Sequence, residues 1–181
     1  MSNIYVKKAQ LQDLPAIMKI IDNAKALLKA DGSPQWQDGS PDETTFINDI
    51  NHGNCWVLKV DNQIAGTATL LTTPDANYEN ISDGQWKNTS APYATIHRIA
   101  ISPDYRGMSL GKFFLSNLIT LGTHAGINHF RIDTHELNQR MQHLVQQFNF
   151  EYTGIINTQV LSYVNPTEDG RRLAFELNLE N

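Results

Sequence analysis

Cysteine is scarce in this sequence, and long apolar runs are missing. Cys55 is the one cysteine among 181 residues, so no disulfide can form within the chain, and we expect a reducing, cytoplasmic location. No segment reaches the roughly 18 consecutive apolar residues of a membrane span, and residues 1–10 lack the basic-then-apolar order of a signal peptide. We therefore expect no membrane partner. The net charge of −5 offers no basic excess for phosphates, so a nucleic-acid partner is not expected either.

Hydrophobic residues are plentiful and evenly spread. They make up 40% of the sequence, which predicts a single domain over residues 1–181. Helices are predicted at 13–32, 41–50, 110–125 and 138–150. Strands are predicted at 4–9, 94–102, 128–135, 152–164 and 171–179, with a hairpin over 55–71. This mixture of hairpins and strand–helix–strand units predicts an α/β fold with a mixed sheet.

One segment, 74–93, fits none of these patterns. It is polar and rich in turn-forming residues, and its length indicates a functional loop or an irregular excursion. Large aromatic residues stand in this and another polar stretch: Trp36, Tyr78, Trp86 and Tyr93. They would either line an acceptor pocket or cover the edge of the core.

Residues 97–114, HRIAISPDYRGMSLGKFF, lead from a strand through a turn into a helix. The turn contains Arg106, Gly107, Gly111 and Lys112. Unpaired N–H groups at a helix N-terminus favour anions, and glycines let a bulky phosphate approach the backbone. The stretch therefore predicts a pyrophosphate site, with a tight strand-to-helix turn as the alternative. It matches neither the nucleotide-triphosphate loop, whose glycines stand further apart, nor the GxGxxG dinucleotide fingerprint.

The longer stretch IHRIAISPDYRGMSLGKFFL resembles the acetyl-CoA-binding motif of the GNAT superfamily of N-acetyltransferases. In that motif, Arg/Gln-x-x-Gly-x-Gly/Ala follows a strand that ends in Pro-x-aromatic. The stretches VKKAQLQDLPAI, QIAGTATL and N..M..LVQQFNF extend the resemblance, in the family's order, over nearly the whole chain. The resemblance implies a GNAT-type α/β fold, with a mixed, mostly antiparallel central sheet flanked by helices, and acetyl-CoA as co-substrate. Dimers are common among similar proteins, so a homodimer is left open.

The resemblance also implies a set of cofactor contacts. Backbone groups of Ile99 and Ile101 would bond the pantetheine arm like an added strand, and amides of residues 106–112 would hold the pyrophosphate. Asn138 would bond the cofactor arm from the last helix. The implied cofactor-binding residues are Ile99, Ala100, Ile101, Arg106, Gly107, Met108, Ser109, Leu110, Gly111, Lys112 and Asn138.

Three positions depart from the family's pattern. Ser109 replaces the central glycine of the loop, where it would either crowd the pyrophosphate or contribute its hydroxyl. Asn149 stands in place of the glycine of a Gly-Phe turn, and asparagine tolerates a positive φ. Val145 occupies the position at which many members have a tyrosine that protonates the departing thiolate, so that acid is missing.

The implied reaction is direct attack of an amine on the thioester, which requires a base for the amine's proton. Strand alternation predicts that four residues share one face: Thr95, His97, Ile99 and Ile101. Some GNAT subfamilies have a working His or Glu at the positions matched by Thr95 and His97, which makes His97 the leading base. Alternatively, His97 only forms a hydrogen bond with the 74–93 segment.

A second catalytic candidate, His135, lies on the next predicted strand. It shares a face with Arg131 and Asp133, and Glu136 follows at the end of the strand. These residues would bind substrate or relay a proton through water. The alternative is a structural salt bridge beside a histidine whose hydrogen bonds are satisfied.

The remaining histidines and the cysteine are not candidates for chemistry. His52, His124, His129 and His143 lack metal-ligand spacing, so no metal site is predicted and surface positions are expected. Cys55 has no obvious paired base, which favours a buried structural thiol over a nucleophile.

Three functions remain open from the sequence. The first is an N-acetyltransferase that acts on a primary amine of a small molecule or peptide; the acidic net charge agrees with a cationic or neutral substrate. The second is a non-catalytic acyl-CoA-binding sensor, which would keep the phosphate loop and lose the acid, as Val145 permits. The third, a structural or partner-binding domain, would have no use for the glycine turn.

Overall fold

The computed structural model describes residues 2–158 and 170–180. The strands within these residues are β1 (Ile4–Lys8), β2 (Cys55–Val60), β3 (Gln63–Leu71), β4 (Ile81–Ser82), β5 (Tyr93–Ile101), β6 (His129–Thr134), β7 (Glu151–Asn157) and β8 (Arg171–Asn178). They form one sheet in the order β1-β2-β3-β5-β6-β8-β7-β4. Neighbouring strands are antiparallel except β5 and β6, so the predicted mixed, mostly antiparallel sheet is confirmed.

Helices cover both faces of the sheet. They are α1 (Leu14–Ala30), α2 (Glu43–Asn51), α3 (Leu110–His124) and α4 (Gln139–Gln146). The helices α1 and α2 pack over Val57 of β2, whereas α3 and α4 belong to the cluster that contains its neighbour Leu58. Successive strand residues point to opposite faces, so each helix pair has its own apolar layer. None of the helices in the described part of the chain is long and apolar enough to cross a membrane.

The segment 74–93 is more ordered than its sequence predicts. A 3-10 turn spans Ala76–Tyr78, and β4 pairs with β7 at the edge of the sheet. Two strand residues are too few for an alternating pattern to show, which explains why the sequence alone predicts a loop or an irregular excursion here. The predicted strand 152–164 corresponds to β7 at its beginning, and residues 159–164 lie outside the described residues.

A β-bulge interrupts β5. His97 lies opposite Thr69 of β3, and Ala100 lies opposite Thr67, so β5 has one extra residue between these two pairs. Arg98 stands in the bulge with a φ of 53°. Because directly paired residues share a face, His97 and Ala100 lie on the same side of the sheet.

The bulge changes which residues of β5 lie together. Ile99 and Ile101 pack against the core on the side of α3 and α4, as does Ile96. His97 precedes the extra residue and points to the opposite side. The prediction that Thr95, His97, Ile99 and Ile101 share one face is therefore wrong, because a period of two cannot continue through an inserted residue.

The strands β5 and β6 separate beyond their first residues. Their parallel pairing joins Tyr93–Thr95 to His129–Arg131, whereas β6 remains paired with β8 up to Thr134. A cleft opens between the C-terminal ends of the two strands. Beyond Thr95, β5 has no strand partner on this side within the described residues, so its backbone there could bond an extended ligand in the manner of an added strand.

Candidate active site

Two cavities meet at the cleft between β5 and β6. The larger, of about 520 Å³, lies among α1, the end of β5, the start of α3 and α4. The smaller, of about 390 Å³, includes residues of the 74–93 segment, β5 and β6. The residues that line both cavities are Trp36, Ile99, Asn138 and Met141. We call this place the junction, because a ligand in one cavity would meet a ligand in the other there.

The turn before α3 provides backbone donors at the larger cavity. Gly107 has a φ of 82° and Ser109 a φ of 55°, which turns the chain sharply into the helix. Within residues 2–158 and 170–180, the N–H groups of Gly107, Ser109, Leu110 and Gly111 have no hydrogen-bond acceptor. Unpaired N–H groups and the positive end of the helix dipole together favour an anion.

Gly111 leaves room for that anion. It lines the larger cavity, and a Cβ atom placed on it would lie 3.8 Å from Cδ2 of Leu144, an ordinary van der Waals distance. Neither a positive φ nor protein packing requires a glycine at this position. The space that its missing side chain leaves open fits a pyrophosphate group.

The predicted cofactor contacts divide into two groups. Those that line the larger cavity are Ile99, Ala100, Ile101, Arg106, Gly111 and Asn138. Those that belong to the turn or the first residues of α3 are Gly107, Met108, Ser109, Leu110 and Lys112. Met108 is 45% exposed and the Leu110 side chain lies in the core, so they would contribute backbone groups. The N–H of Lys112 already donates to the Ser109 carbonyl.

Asn138 is engaged within the protein. Its Oδ1 accepts a hydrogen bond from the N–H of Met141 at 3.2 Å, which caps α4, and its Nδ2 lies 3.4 Å from Oε1 of Gln35. The side chain nevertheless lines both cavities. Asn138 therefore fixes the first turn of α4 at the junction, and with respect to the described residues one of its amide hydrogens remains for a ligand.

His97 lies in the smaller cavity between two carboxylates. Its Nε2 is 2.7 Å from Oδ2 of Asp75, and its Nδ1 is 3.6 Å from Oδ1 of Asp133. Burial alone would raise the pKa of Asp75, but the hydrogen bond and charge of His97, with bonds from Asn77, hold that pKa below its ordinary value. The histidine thus sits where proton transfer can occur, and it also bonds the 74–93 segment, as the alternative interpretation predicted.

Tyr78 contacts both Asp133 and His97 of this cluster. Its hydroxyl donates to Oδ1 of Asp133 at 2.5 Å, and its ring meets the His97 ring edge-on with 5.8 Å between centroids. Burial, followed by the charge of Asp133, raises the pKa of Tyr78 well above its ordinary value. Tyr78 therefore remains a hydrogen-bond donor that positions Asp133.

Asp75 is the residue of this cluster that sequence reasoning missed. It lies in the 74–93 segment, and its Oδ1 accepts from the N–H of Asn77 at 2.9 Å in a local turn. A polar residue in a turn-rich stretch is an ordinary feature. The one signal in the sequence is the length of the segment, which indicates a functional loop.

His135 does not join His97. It is 4% exposed, its Nδ1 accepts from the N–H of Leu137 at 3.1 Å, and its backbone N–H donates to Gln35. It lines neither cavity. Of the predicted set on β6, only Asp133 lines the smaller cavity, so the geometry favours the alternative of a satisfied histidine for His135.

Two departures from the family's pattern have clear structural outcomes. Asn149 has a φ of 60°, the left-handed conformation that asparagine tolerates in place of glycine. Val145 is fully buried in the core and lines neither cavity. The α4 residues at the cavities are Arg140, Met141 and Leu144. Met141 and Leu144 have no proton to donate, and an arginine stays protonated at neutral pH.

The remaining sequence candidates are structural. The Cys55 thiol is buried, which raises its pKa to about 11, as expected for a structural thiol. His129 is only 2% exposed, so its predicted surface position is wrong; it points inward from β6, where Asn88 lies 3.1 Å from its Nε2. In the described part of the chain, no group of three or more His, Cys, Asp or Glu residues could hold a metal ion.

Comparison with known proteins settles the family. The model of the acetyltransferase (GNAT) family matches residues 21–150. The chain belongs to the GNAT acetyltransferase family. A GNAT acetyltransferase of known structure from Streptococcus agalactiae is 34% identical, with a TM-score of 0.84 over 98% of this chain and 96% of that one. Comparison with curated proteins gave no match.

More distant acetyltransferase structures share the fold. A GNAT acetyltransferase from Listeria monocytogenes is 20% identical, with a TM-score of 0.70 over 97% of this chain and 95% of that one. A Salmonella typhimurium protein, solved with its cofactor acetyl-CoA, is 16% identical, with a TM-score of 0.66 over 98% and 95% of the two chains. The predicted GNAT-type fold is confirmed, and family membership makes the protein an acetyl-CoA-dependent acyltransferase.

Proposed function

We propose that this GNAT acetyltransferase moves the acetyl group of acetyl-CoA to the primary amine of a small molecule or peptide, with His97 as general base. The observation that carries the proposal is the position of His97. Its ring lines the smaller cavity between Asp75 and Asp133, and that cavity joins the larger one at Ile99. The turn before α3, four of whose N–H groups lack an acceptor within the described residues, reaches the larger cavity at Gly111 and would bind the pyrophosphate of acetyl-CoA.

The carboxylates of the smaller cavity suit a cationic acceptor. A primary amine is mostly an ammonium ion at neutral pH, and the side chains of Asp75 and Asp133 are only 10% and 8% exposed. Partly buried charges are screened less by salt than exposed ones. An ammonium group would therefore be attracted to the space beside His97.

His97 would then take the proton that the ammonium must lose before its nitrogen can attack. With Nε2–H donating to Asp75, Nδ1 carries the lone pair that accepts the proton. Acetyl-CoA supplies the activated thioester, whose carbonyl carbon gains the C–N bond as the C–S bond breaks. The amine nitrogen loses its second proton, and the departing thiolate gains one. Because Val145 has no acidic group, solvent would deliver the proton to the sulfur.

The test is thiol release from acetyl-CoA with a panel of amines, polyamines, amino acids and short peptides. With an accepted amine, His97→Ala should lower kcat/KM by about 10²–10⁴-fold, the usual scale for a general base, while acetyl-CoA binding is retained. His124→Ala, at the exposed C-terminal end of α3, is the matched control and should change neither.

Each other outcome has a definite meaning. Full activity in the His97→Ala variant would refute the assignment of the base. Saturable acetyl-CoA binding without thiol release to any amine would favour an acyl-CoA sensor instead, which the absence of an acid at Val145 would then explain. Loss of acetyl-CoA binding in His97→Ala would place the residue in the cofactor site.

A further inference from the structure

Trp36 has a backbone conformation that is unusual for a bulky residue. The N–H of Gln37 donates to the carbonyl of Pro34 at 3.1 Å, which closes a turn with Trp36 at its third position. The φ of Trp36 is 66°. A positive φ at that position is normally provided by glycine or asparagine, and a large side chain there is an outlier that points to function.

Hydrogen bonds hold this turn in place. Oε1 of Gln35 lies 3.4 Å from Oγ1 of Thr134 and accepts from the N–H of His135 at 3.2 Å, and Nδ2 of Asn138 also lies near it. On the other side of the turn, Nε2 of Gln37 donates to the carbonyl of Lys25 in α1 at 3.0 Å. The turn thus connects α1 to the end of β6, across the mouth of the cleft.

The Trp36 ring lies at the junction of the two cavities. It packs against the apolar cluster of α1, α2 and β5, and it lines both cavities. Ile99 and Met141 line the same place. Because Trp36 is the largest of the junction residues and is fixed by its turn, it limits the space there more than the others do.

We propose that Trp36 determines which acyl group the enzyme accepts, by limiting the space at the junction to an acetyl group. This inference rests on the proposed function, since the thioester must lie where the cofactor cavity meets the acceptor cavity. The carbon chain of a longer acyl group would extend from the thioester into the volume that the indole ring occupies. Each added methylene can change recognition in an apolar pocket by about tenfold or more.

Binding of acyl-CoA esters tests this proposal without an acceptor. Dissociation constants of coenzyme A, acetyl-CoA, propionyl-CoA and butyryl-CoA are measured by calorimetry for the wild type, Trp36→Gly and Trp36→Asn. Both substitutions suit a positive φ, so the turn should persist. We expect the wild type to bind butyryl-CoA at least about tenfold more weakly than acetyl-CoA. In both variants the ratio of the butyryl-CoA to the acetyl-CoA dissociation constant should fall to within about threefold of one, while the dissociation constant of coenzyme A stays unchanged.

Trp56 provides the matched control. It is a half-buried tryptophan on β2 that lines neither cavity, so Trp56→Ala should keep the wild-type preference for acetyl-CoA. The proposal is overturned if the wild type binds butyryl-CoA as tightly as acetyl-CoA, if the Trp36 variants keep the wild-type ratio, or if Trp56→Ala loses it equally. Failure of the wild type to bind acetyl-CoA would instead refute the proposed function.

Discussion

At the scale of single residues, three of the six described non-glycine residues with a positive φ lie in or beside the candidate site. Trp36, Arg98 and Ser109 have φ values of 66°, 53° and 55°, and they stand at the junction, in the β5 bulge and in the turn before α3. The left-handed conformation costs about 1–2 kcal/mol for an ordinary residue. Three such residues around one pair of cavities indicate that the backbone there is shaped for ligands as well as for stability.

The charge of Asp75 should make the free energy of unfolding depend on pH. Its pKa in the folded protein is held below the ordinary value of 3.8, so its ionised form stabilises the folded state. That contribution is fully present above the unfolded-state pKa and is lost as the pH falls through the folded-state pKa. The wild type should therefore lose its advantage over Asp75→Asn in free energy of unfolding between about pH 5 and pH 2.

Urea denaturation of both proteins over this range measures the difference. Asp22→Asn, which alters an exposed residue of α1, serves as the control and should follow the wild type. A difference between the wild type and Asp75→Asn that stays constant with pH would show that the His97–Asp75 bond does not favour the ionised carboxylate.

At the scale of elements, Arg131 of β6 fixes the 74–93 segment to the sheet. Its guanidinium carbon lies 4.0 Å from the ring centroid of Trp86 and 3.8 Å from that of Tyr93, and Nη2 donates to the Asn88 carbonyl at 2.7 Å. Nε faces the buried carboxylate of Glu176 at 3.9 Å. The alternative of a structural ion pair, foreseen for this strand, therefore describes Arg131 well.

Removing this contact should affect both stability and activity. Arg131→Met leaves Glu176 buried without its cation, so the free energy of unfolding should fall by about 3–5 kcal/mol. Because Asp75 lies in the same segment, kcat should fall as well. Lys87→Met is the control. Lys87 belongs to the same segment and forms an exposed ion pair with Glu151 of β7, so losing this pair should lower the free energy of unfolding by less than about 1 kcal/mol. Equal losses in the two variants, measured by urea denaturation, would contradict the structural role of Arg131.

The elements with regular periodicity were those that the sequence could predict. The helices α1 and α3 and the strands β2 and β3 lie where the apolar spacing predicts them, because each buries a continuous face. The strand β5 also lies where it is predicted, although its two faces exchange at the bulge. The bulge at Arg98 was not predictable, since its residue types are compatible with an uninterrupted strand. The contact between Asp75 and His97 joins residues that are distant in the sequence, and no local pattern encodes it. The resemblance matches Val145 to the position of the missing acid, but it does not show that this side chain lies in the core.

At the scale of the whole molecule, the separation of β5 from β6 creates the space in which the two substrates of the proposed reaction would meet. If every pair of neighbouring strands stayed hydrogen-bonded to its end, the sheet would have no gap between β5 and β6. Instead, β5 stays with β3 and β6 stays with β8, and the space between them receives the turn before α3, the N-terminus of α4 and the Trp36 turn. The two cavities are therefore built by elements from the whole length of the chain, and a ligand between them should stabilise the entire fold.

Acetyl-CoA should accordingly raise the melting temperature of the protein, because it binds the folded chain and not the unfolded one. At a concentration 100 times its dissociation constant, the stabilisation should be about 2.7 kcal/mol. Gly111→Val should abolish this shift, since the new side chain enters the larger cavity where the pyrophosphate would lie. The melting temperature without ligand should change little, because a Cβ atom at Gly111 meets only Leu144, at 3.8 Å. Gly111→Ala, with a smaller side chain, should keep part of the shift. A Gly111→Val variant that is stabilised as strongly as the wild type would show that the pyrophosphate does not lie at this turn.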